Sequence, residues 1–571
     1  MGLVDVNHEW APKSSIELIL GAILALLVGK TALFLWGGVQ IRMRFKSMRA
    51  QGIPIIEPYS LLWGHLKVLG ALKGQFPPDA QPNYAQIHII QHWQEYFPSA
   101  KECPHIVYLD IWPVQSTPIA LIIDPAMCQE LVTEKNFPRG ISMKRLAEPV
   151  IGQRNLIWFD GAEHRLWRSR LNPGFSMRNL HSYMGALVDE AEIFLENLKA
   201  TTRPDGRWGS VFPLMPKTID LTFDIIGRVV LDLHLNEQRN GPTELQSALR
   251  TLTTKHFFFR TLATLPKRFN PFFRYEGWHS VQKLRKILVP RIQQQIGAEQ
   301  FTKQKTVLQL AMKEYMNDTQ GAKSSKGSSD QFVEDVFGQV RLFLFAGHDT
   351  TACILTWAFH YLSKRADVLE KLRAEYDSVF GTDLRAVADK VRQSPQLLNS
   401  LPYTTAVAKE VMRLAPLAAT VRQAPPGAFF TASDGTRLPA YGFALITGTA
   451  MIDYHPELWP RPDEFLPERF MVPPGDPLYP SKPGQWRPFE AGPMNCIGQE
   501  LSMIEIKLVL LFTVREVDVE PAFDEWDQLP ENVGKPRHTI KGERAYRQAK
   551  GISPPTDGLP VHVRFRNPVT A

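Results

Sequence analysis

The chain has 571 residues, 44% of them hydrophobic and 22% charged, with a formal net charge of +7. This is a globular composition, and its mild basic excess forms no lysine–arginine stripe of the kind that tracks a phosphate backbone, which argues against a nucleic-acid partner. The four cysteines, Cys103, Cys128, Cys353 and Cys496, include no CxxC pair, which argues against a disulfide framework or a zinc site and fits a reducing compartment.

Residues 18–39 are almost wholly apolar, and as a helix this stretch would reach about 33 Å, enough for the hydrocarbon core of a bilayer. Lys30 interrupts it, but a lysine stem can snorkel. Arg42, Arg44, Lys46 and Arg49 follow at once, so the positive-inside rule places the rest of the chain on the cytosolic side. A cleaved signal peptide fits less well, because the leader is acidic and the apolar stretch too long. The prolines of Gly52-Ile53-Pro54-Ile55-Ile56-Glu57-Pro58 make a stiff elbow. The expected organisation is a lumenal N-terminus at 1–17, a transmembrane anchor at 18–39, a basic, proline-containing linker at 40–58 and a catalytic domain at 59–571.

Beyond the elbow, apolar periodicity predicts helices over 160–171, 187–198, 216–231 and 279–295. The aromatic-rich stretch 255–278 reads either as core packing or as an exposed apolar roof. The Gly/Ser-rich stretch 321–330 reads as a loop, with Asp330 placed to cap a long helix over 331–362. Further helices are expected over 366–379, 404–414 and 497–514, and strands over 106–111, 119–123, 444–450 and 561–565. The fold class is mainly α with small β-sheets.

Eleven prolines fall between Pro456 and Pro493, a density that forbids regular helix or central strand. So stiff and irregular a segment cannot satisfy its own backbone and must be held by tertiary contacts. It leads into Phe489-Glu490-Ala491-Gly492-Pro493-Met494-Asn495-Cys496-Ile497-Gly498, where Gly492 permits a tight turn. A cysteine at the start of a helical pattern faces unpaired N–H groups and the helix dipole, which favour a thiolate. Glu410 and Arg413 are three residues apart on one predicted helix face and can pair, and Arg469 follows in Pro467-Glu468-Arg469-Phe470. Inside the long apolar helix, Ala346-Gly347-His348-Asp349-Thr350-Thr351 puts polar side chains where burial needs a reason. Gly161-Ala162-Glu163-His164-Arg165-Leu166-Trp167-Arg168 opens an earlier helix.

In this order and spacing, these four segments resemble those of the cytochrome P-450 superfamily, from Gly161 to Gly498. The resemblance implies a triangular helical prism that binds haem b (iron-protoporphyrin IX), with Cys496 as the axial ligand of its iron. Phe489, Gly492 and Gly498 match the haem-binding loop. Met494 departs from it, standing where the family has a basic residue against a haem propionate. His164, Arg168 and Arg422 are then implied as propionate partners. Glu410, Arg413 and Arg469 match the family's buried triad. Gly347 would leave room over the haem face, Thr350 would hold dioxygen and its protons by hydrogen bond, and Asp349 would relay protons from solvent. His348 occupies a variable position.

The implied activity is oxidation of an apolar small molecule with dioxygen, using electrons from NADPH. No flavin or nicotinamide fingerprint follows a strand here, so the electrons would come through a separate NADPH-cytochrome P-450 reductase, with cytochrome b5 as a further possible donor. Arg165, Arg168 and Arg170 are candidates for docking it. The anchor implies membrane lipid as a partner and the endoplasmic reticulum as location. The wording of Trp486-Arg487-Pro488-Phe489 and Cys496-Ile497-Gly498-Gln499-Glu500-Leu501 is most similar to fungal members that tailor secondary metabolites such as polyketides. Two alternatives remain: a reductase-independent haem-thiolate enzyme that rearranges peroxides, and a non-catalytic haem-binding membrane protein.

Overall fold

The computed structural model describes residues 15–257, 267, 269–296, 305–319 and 326–566. Residues 1–14, Phe258, Phe259 and residues 321–325 of the Gly/Ser stretch lie outside the described residues. The helices used below are α1 (Ser15–Ala50), α2 (Asn83–Gln91), α3 (Gly161–Leu171), α4 (Met184–Lys199), α5 (Leu214–Leu231), α6 (Pro271–Ile296), α7 (Lys326–Ser363), α8 (Ala366–Phe380), α9 (Pro402–Leu414) and α10 (Gln499–Thr513). The strands are β1 (Ile106–Leu109), β2 (Ile119–Ile122), β3 (Phe212–Pro213), β4 (Val421–Gln423), β5 (Phe429–Thr431), β6 (Arg437–Pro439), β7 (Ala444–Thr447), β8 (Val517–Pro521) and β9 (Pro560–Phe565). They form sheets in the orders β1-β2-β7-β4, β3-β9-β8 and β5-β6. The fold is thus mainly helical with small sheets, as the periodicity predicts.

Several boundaries differ from expectation for local reasons. The long helix starts at Lys326, so Asp330 sits inside it and does not cap it. The predicted strand over 444–450 ends at Thr447, because Gly448 N-caps a short helix, Thr449–Asp453. Strands β3 to β6 and β8 were not anticipated; the first four are only two or three residues long, too short to show alternation.

The apolar core falls into two clusters. One gathers the buried faces of α5, α7, α9 and α10; the other lies on the four-stranded sheet. Among the described residues, two helices are long and apolar enough to cross a membrane. In Asp330–Ser363 83% of the apolar window is buried in the helical core, whereas the window in Glu17–Ala50 is wholly exposed. Helix α1 runs on through the basic flank without a break. Its last turns dock on the sheet cluster: Phe45 and Met48 are buried, and Arg42 pairs with buried Asp110 and donates to the Trp112 carbonyl at 3.0 Å. A Cβ at Gly38 would press into the Trp112 indole at 2.5 Å, so this glycine lets the helix approach.

The proline-rich stretch has one short turn of 3-10 helix, Pro467–Phe470, and is otherwise irregular. Its carbonyls are taken by buried arginines. Arg413 Nη1 donates to Asp453 O and Pro462 O, both at 2.7 Å, and Nη2 to Glu464 O at 3.0 Å. Glu410 accepts Arg413 Nε and Nη2, both at 2.8 Å, Arg469 Nε at 3.1 Å, and the Leu466 amide at 3.0 Å. All three side chains are fully buried. Breaking a buried ion network by removing one member costs about 3–5 kcal/mol, because the remaining charges lose their compensation. Glu410→Ala is therefore expected to lower the denaturant midpoint sharply, with the largest loss of amide-exchange protection in residues 453–470. A midpoint within error of wild type would show that the network holds nothing.

Candidate active site

The irregular stretch delivers Cys496 through a tight loop. Gly492 has φ +75°, and a Cβ there would collide with the Val132 carbonyl. The Cys496 amide donates to Phe489 O at 2.9 Å, which closes the loop, and the Phe489 ring lies edge-on to Trp486 at 6.3 Å. Helix α10 begins at Gln499 with Gly498 as N-cap, so Cys496 precedes the helix by three residues and does not start it. Cys496 is accessible, yet the surrounding protein desolvates its thiol and pushes the pKa up; the Gly498 N–H and the Arg168 charge pull the other way. The thiolate preference expected from the helix dipole is therefore opposed by burial. It rests on one N–H and one arginine.

Four basic side chains converge beside this loop. Arg168 donates through Nη1 to Asn495 O and through Nη2 to Asn495 Oδ1, both at 2.7 Å, and through Nε to Asn172. It clamps the residue before Cys496, and each of its three nitrogens has a protein partner. Arg422 is fully buried on β4; it donates to Phe137 O at 3.0 Å and abuts the Met494 sulfur, while its Nε and Nη2 have no protein partner. His164, on α3, is also buried with Nε2 unpartnered. Arg139 went unnoticed in the sequence. It faces Arg422 across an isolated β-bridge and donates to Met494 O at 3.2 Å and Leu156 O at 2.6 Å. No periodic pattern marks it; only the fold brings it to residue 494.

These charges repel one another. Burial first, then Arg422, lowers the Arg139 pKa to about 9, despite nearby Asp160. Burial and then Arg139 and Arg168 lower His164 to about 4. Buried cations with unused donors are costly unless an anion joins them. The donor set therefore fits the carboxylates of the haem implied by the sequence resemblance.

Helix α7 carries the remaining residues. Thr350 Oγ1 donates to Ala346 O at 2.7 Å. Asp349 accepts from the Ile552 amide, and burial pushes its pKa up. His348 is buried, lies edge-on to Phe223 and bonds through Nδ1 to Leu344 O, so it has a packing role. The side of Gly347 lacking a Cβ is filled by Ile226 of α5, 2.6 Å from where that atom would stand. This glycine serves the close approach of two helices. Thr351 Oγ1 donates to Ser502 Oγ at 3.1 Å and so ties α7 to the helix that follows Cys496.

Two further expectations change. Arg170 is buried between the Trp167 and Tyr315 rings, 5.5 and 5.0 Å from their centroids, and is not open to a partner; Arg165 is exposed. The aromatic stretch divides: Phe257 is core, whereas Phe269, Phe272, Tyr275 and Trp278 are exposed at or near the start of α6, Phe272 at 81%.

The family profile "Cytochrome P450" matches residues 83–542. The chain is 33% identical over 555 residues to cytochrome P450 monooxygenase polC of Polytolypa hystricis, covering 95% of each chain. It is 30% identical to cytochrome P450 monooxygenase acrF of Aspergillus aculeatus, over 80% of this chain and 93% of that one. Human cytochrome P450 4V2 is 23% identical over 91% of this chain and 95% of its own. Among solved structures, the cytochrome P450DA heme domain superposes with a TM-score of 0.67 at 19% identity, covering 90% of this chain and 98% of that one, a likeness of fold. With its helical fold and cysteine loop, the chain belongs to the cytochrome P450 family and is a cytochrome P450 monooxygenase.

Proposed function

We propose that the protein is a membrane-anchored haem-thiolate monooxygenase that oxidises an apolar small molecule in fungal secondary metabolism, with electrons from NADPH delivered by a separate reductase. The observation that carries the haem-thiolate reading is the loop of Cys496 packed against buried Arg422, whose Nε and Nη2 lack protein partners, with the unpartnered Nε2 of buried His164 nearby. When bound, haem supplies the iron at which dioxygen is reduced by two electrons and two protons, one oxygen atom entering the substrate and the other leaving as water.

The chain's own groups do the rest. Cys496 would supply the sulfur that holds the haem iron; burial opposes its thiolate charge, and the Gly498 N–H and Arg168 favour it. Arg422, His164 and Arg139 would hold the propionates, and Arg139 would supply the cation that Met494 lacks. Burial raises the Asp349 pKa and so favours its protonated form relative to an exposed aspartate, and Asp349 would pass a proton toward the neighbouring Thr350 hydroxyl. Anchor α1 and the exposed aromatics at α6 face the bilayer of the endoplasmic reticulum, with the catalytic domain in the cytosol. The reductase docks on the cysteine side, where Arg165 is exposed. The fungal-metabolism assignment rests on similarity to the Polytolypa and Aspergillus enzymes and on the wording of the cysteine loop.

The deciding experiment is Cys496→Ser. A neutral hydroxyl is a poor donor beside a thiolate, so the reduced carbon monoxide complex is expected to lose its thiolate-type band and turnover to stop. Retention of both would end the proposal. Thr350→Ala is expected to keep haem and substrate binding but to waste electrons as peroxide; the ratio of product to NADPH consumed should fall, and an unchanged ratio excludes Thr350 from proton delivery. Arg139→Met should speed haem transfer to an apo-globin scavenger by about tenfold or more, since a charge-assisted bond contributes about 1.5–3 kcal/mol. Equal transfer times would leave Arg139 a purely structural residue.

A further inference from the structure

A second cavity, of about 740 Å³, lies away from the cysteine loop, where α2, the end of α7, the end of α9 and the segment Ile540 to Arg547 meet. This volume is in the range of small-molecule sites. Phe76, Tyr84, Trp357, Tyr361 and Phe465 give it aromatic walls. Its mouth carries two exposed ion pairs, Lys364–Glu543 at 2.5 Å and Lys541–Asp463 at 3.0 Å, which use up the charges there.

The buried lining differs from the mouth. Arg547 is 2% exposed, and among the described residues no carboxylate forms an ion pair with its guanidinium. Nη2 has no partner, and Nη1 reaches only Leu414 O at 3.5 Å. That carbonyl already accepts Tyr454 Oη at 2.6 Å and is approached by Tyr361 Oη at 3.5 Å, so three donors share one acceptor. What steadies the cation is the Tyr84 hydroxyl and the faces of Tyr84 and Tyr454, 4.7 and 5.6 Å from the guanidinium carbon, with the buried Asp453 carboxylate acting on it only beyond ion-pair distance. His360, 4% exposed, also lines the cavity with Nδ1 unpartnered. The segment is not free to carry Arg547 out to water. Tyr546 Oη and Gln548 Nε2 are bonded to Asp79 at 2.8 and 2.6 Å, and the Arg547 amide to Tyr84 Oη at 3.0 Å.

A pinned, buried guanidinium beneath aromatic walls lacks one thing, an anion with an apolar body. We infer that this cavity is a second ligand site, distinct from the haem site, that binds an amphipathic monocarboxylate through Arg547. The ligand's carboxylate takes the unpartnered guanidinium donor and relieves Leu414 O, while its apolar body lies among the rings. Trp357 and Tyr361 are on the same helix as Asp349 and Thr350, and Leu414 adjoins Arg413 of the buried network. Occupancy therefore touches two elements that position the active site.

The test uses the full-length holoenzyme and 4-benzoylbenzoate, a photoreactive aromatic carboxylate, with 4-(hydroxymethyl)benzophenone as the neutral analogue. By calorimetry the carboxylate should bind about tenfold or more tightly than the alcohol without shifting the haem absorption band, and Arg547→Met should remove that preference. Irradiation of wild-type enzyme should label peptides containing Phe76 to Tyr84, Trp357 to Tyr361, or Phe465, a readout that does not depend on the variant folding. Equal binding of acid and alcohol to wild type, labelling confined to other peptides, or a folded Arg547→Met that keeps the preference would each overturn the site. Retention of the thiolate band and of turnover in Cys496→Ser would instead overturn the monooxygenase reading and leave this site untouched.

Discussion

A run of backbone that cannot bond to itself has to be bonded by something else, and here that something is Arg413. Prolines from Pro456 to Pro493 strip the segment of donors and deny it helix and sheet, yet it must arrive at Cys496 along one path. Two arginines meet the demand by pointing inward and giving their N–H groups to main-chain carbonyls. Burying two guanidinium groups is possible only because Glu410 sits between them. The position of the cysteine thus depends on one carboxylate on a helix more than fifty residues earlier. Irregular chain held by charge is more definite in shape than a flexible loop, because every carbonyl that accepts an arginine fixes a point on the path.

Much of this was legible in the sequence, and what was not has a common cause. Long apolar periodicity located α4, α5, α8 and α9 well, and proline density foretold a segment dependent on tertiary contacts. The triad pairing followed from a helical spacing of three. Short strands such as β5 and β6 escaped, since three residues cannot display a period. Arg139 escaped too, because its meaning lies in a bridge to Arg422, nearly three hundred residues away. Gly347 shows a different limit. Its place in a motif suggested space for a cofactor, and the structure sets Ile226 against the side where a Cβ would stand. A glycine marks a close approach, but sequence alone does not say what approaches.

The cysteine loop also shows how a site can be electrostatically unfinished as protein alone. Arg139 and Arg422 are held close by carbonyl bonds and by Met494, with burial first and then mutual repulsion lowering the pKa of Arg139 and His164. Arg168 is turned toward Asn495 and so contributes to the geometry of the loop and to the charge on sulfur at once. With Met494 in the loop, the charge beside it comes from Arg139 and Arg422, side chains that grip the loop from other parts of the fold.

The joint at the end of α1 has a mechanical consequence. A hinge would let the catalytic domain wander over the membrane independently of its anchor. Instead the helix enters the domain as a shaft set in a socket, with Phe45 and Met48 as the buried tip, Arg42 as the pin and Gly38 against Trp112 as the collar. Were α1 to span a bilayer, as proposed above, its tilt would be transmitted to the whole domain. A change of a few degrees at such an anchor would become a larger displacement at the far edge, where the exposed aromatics of α6 lie.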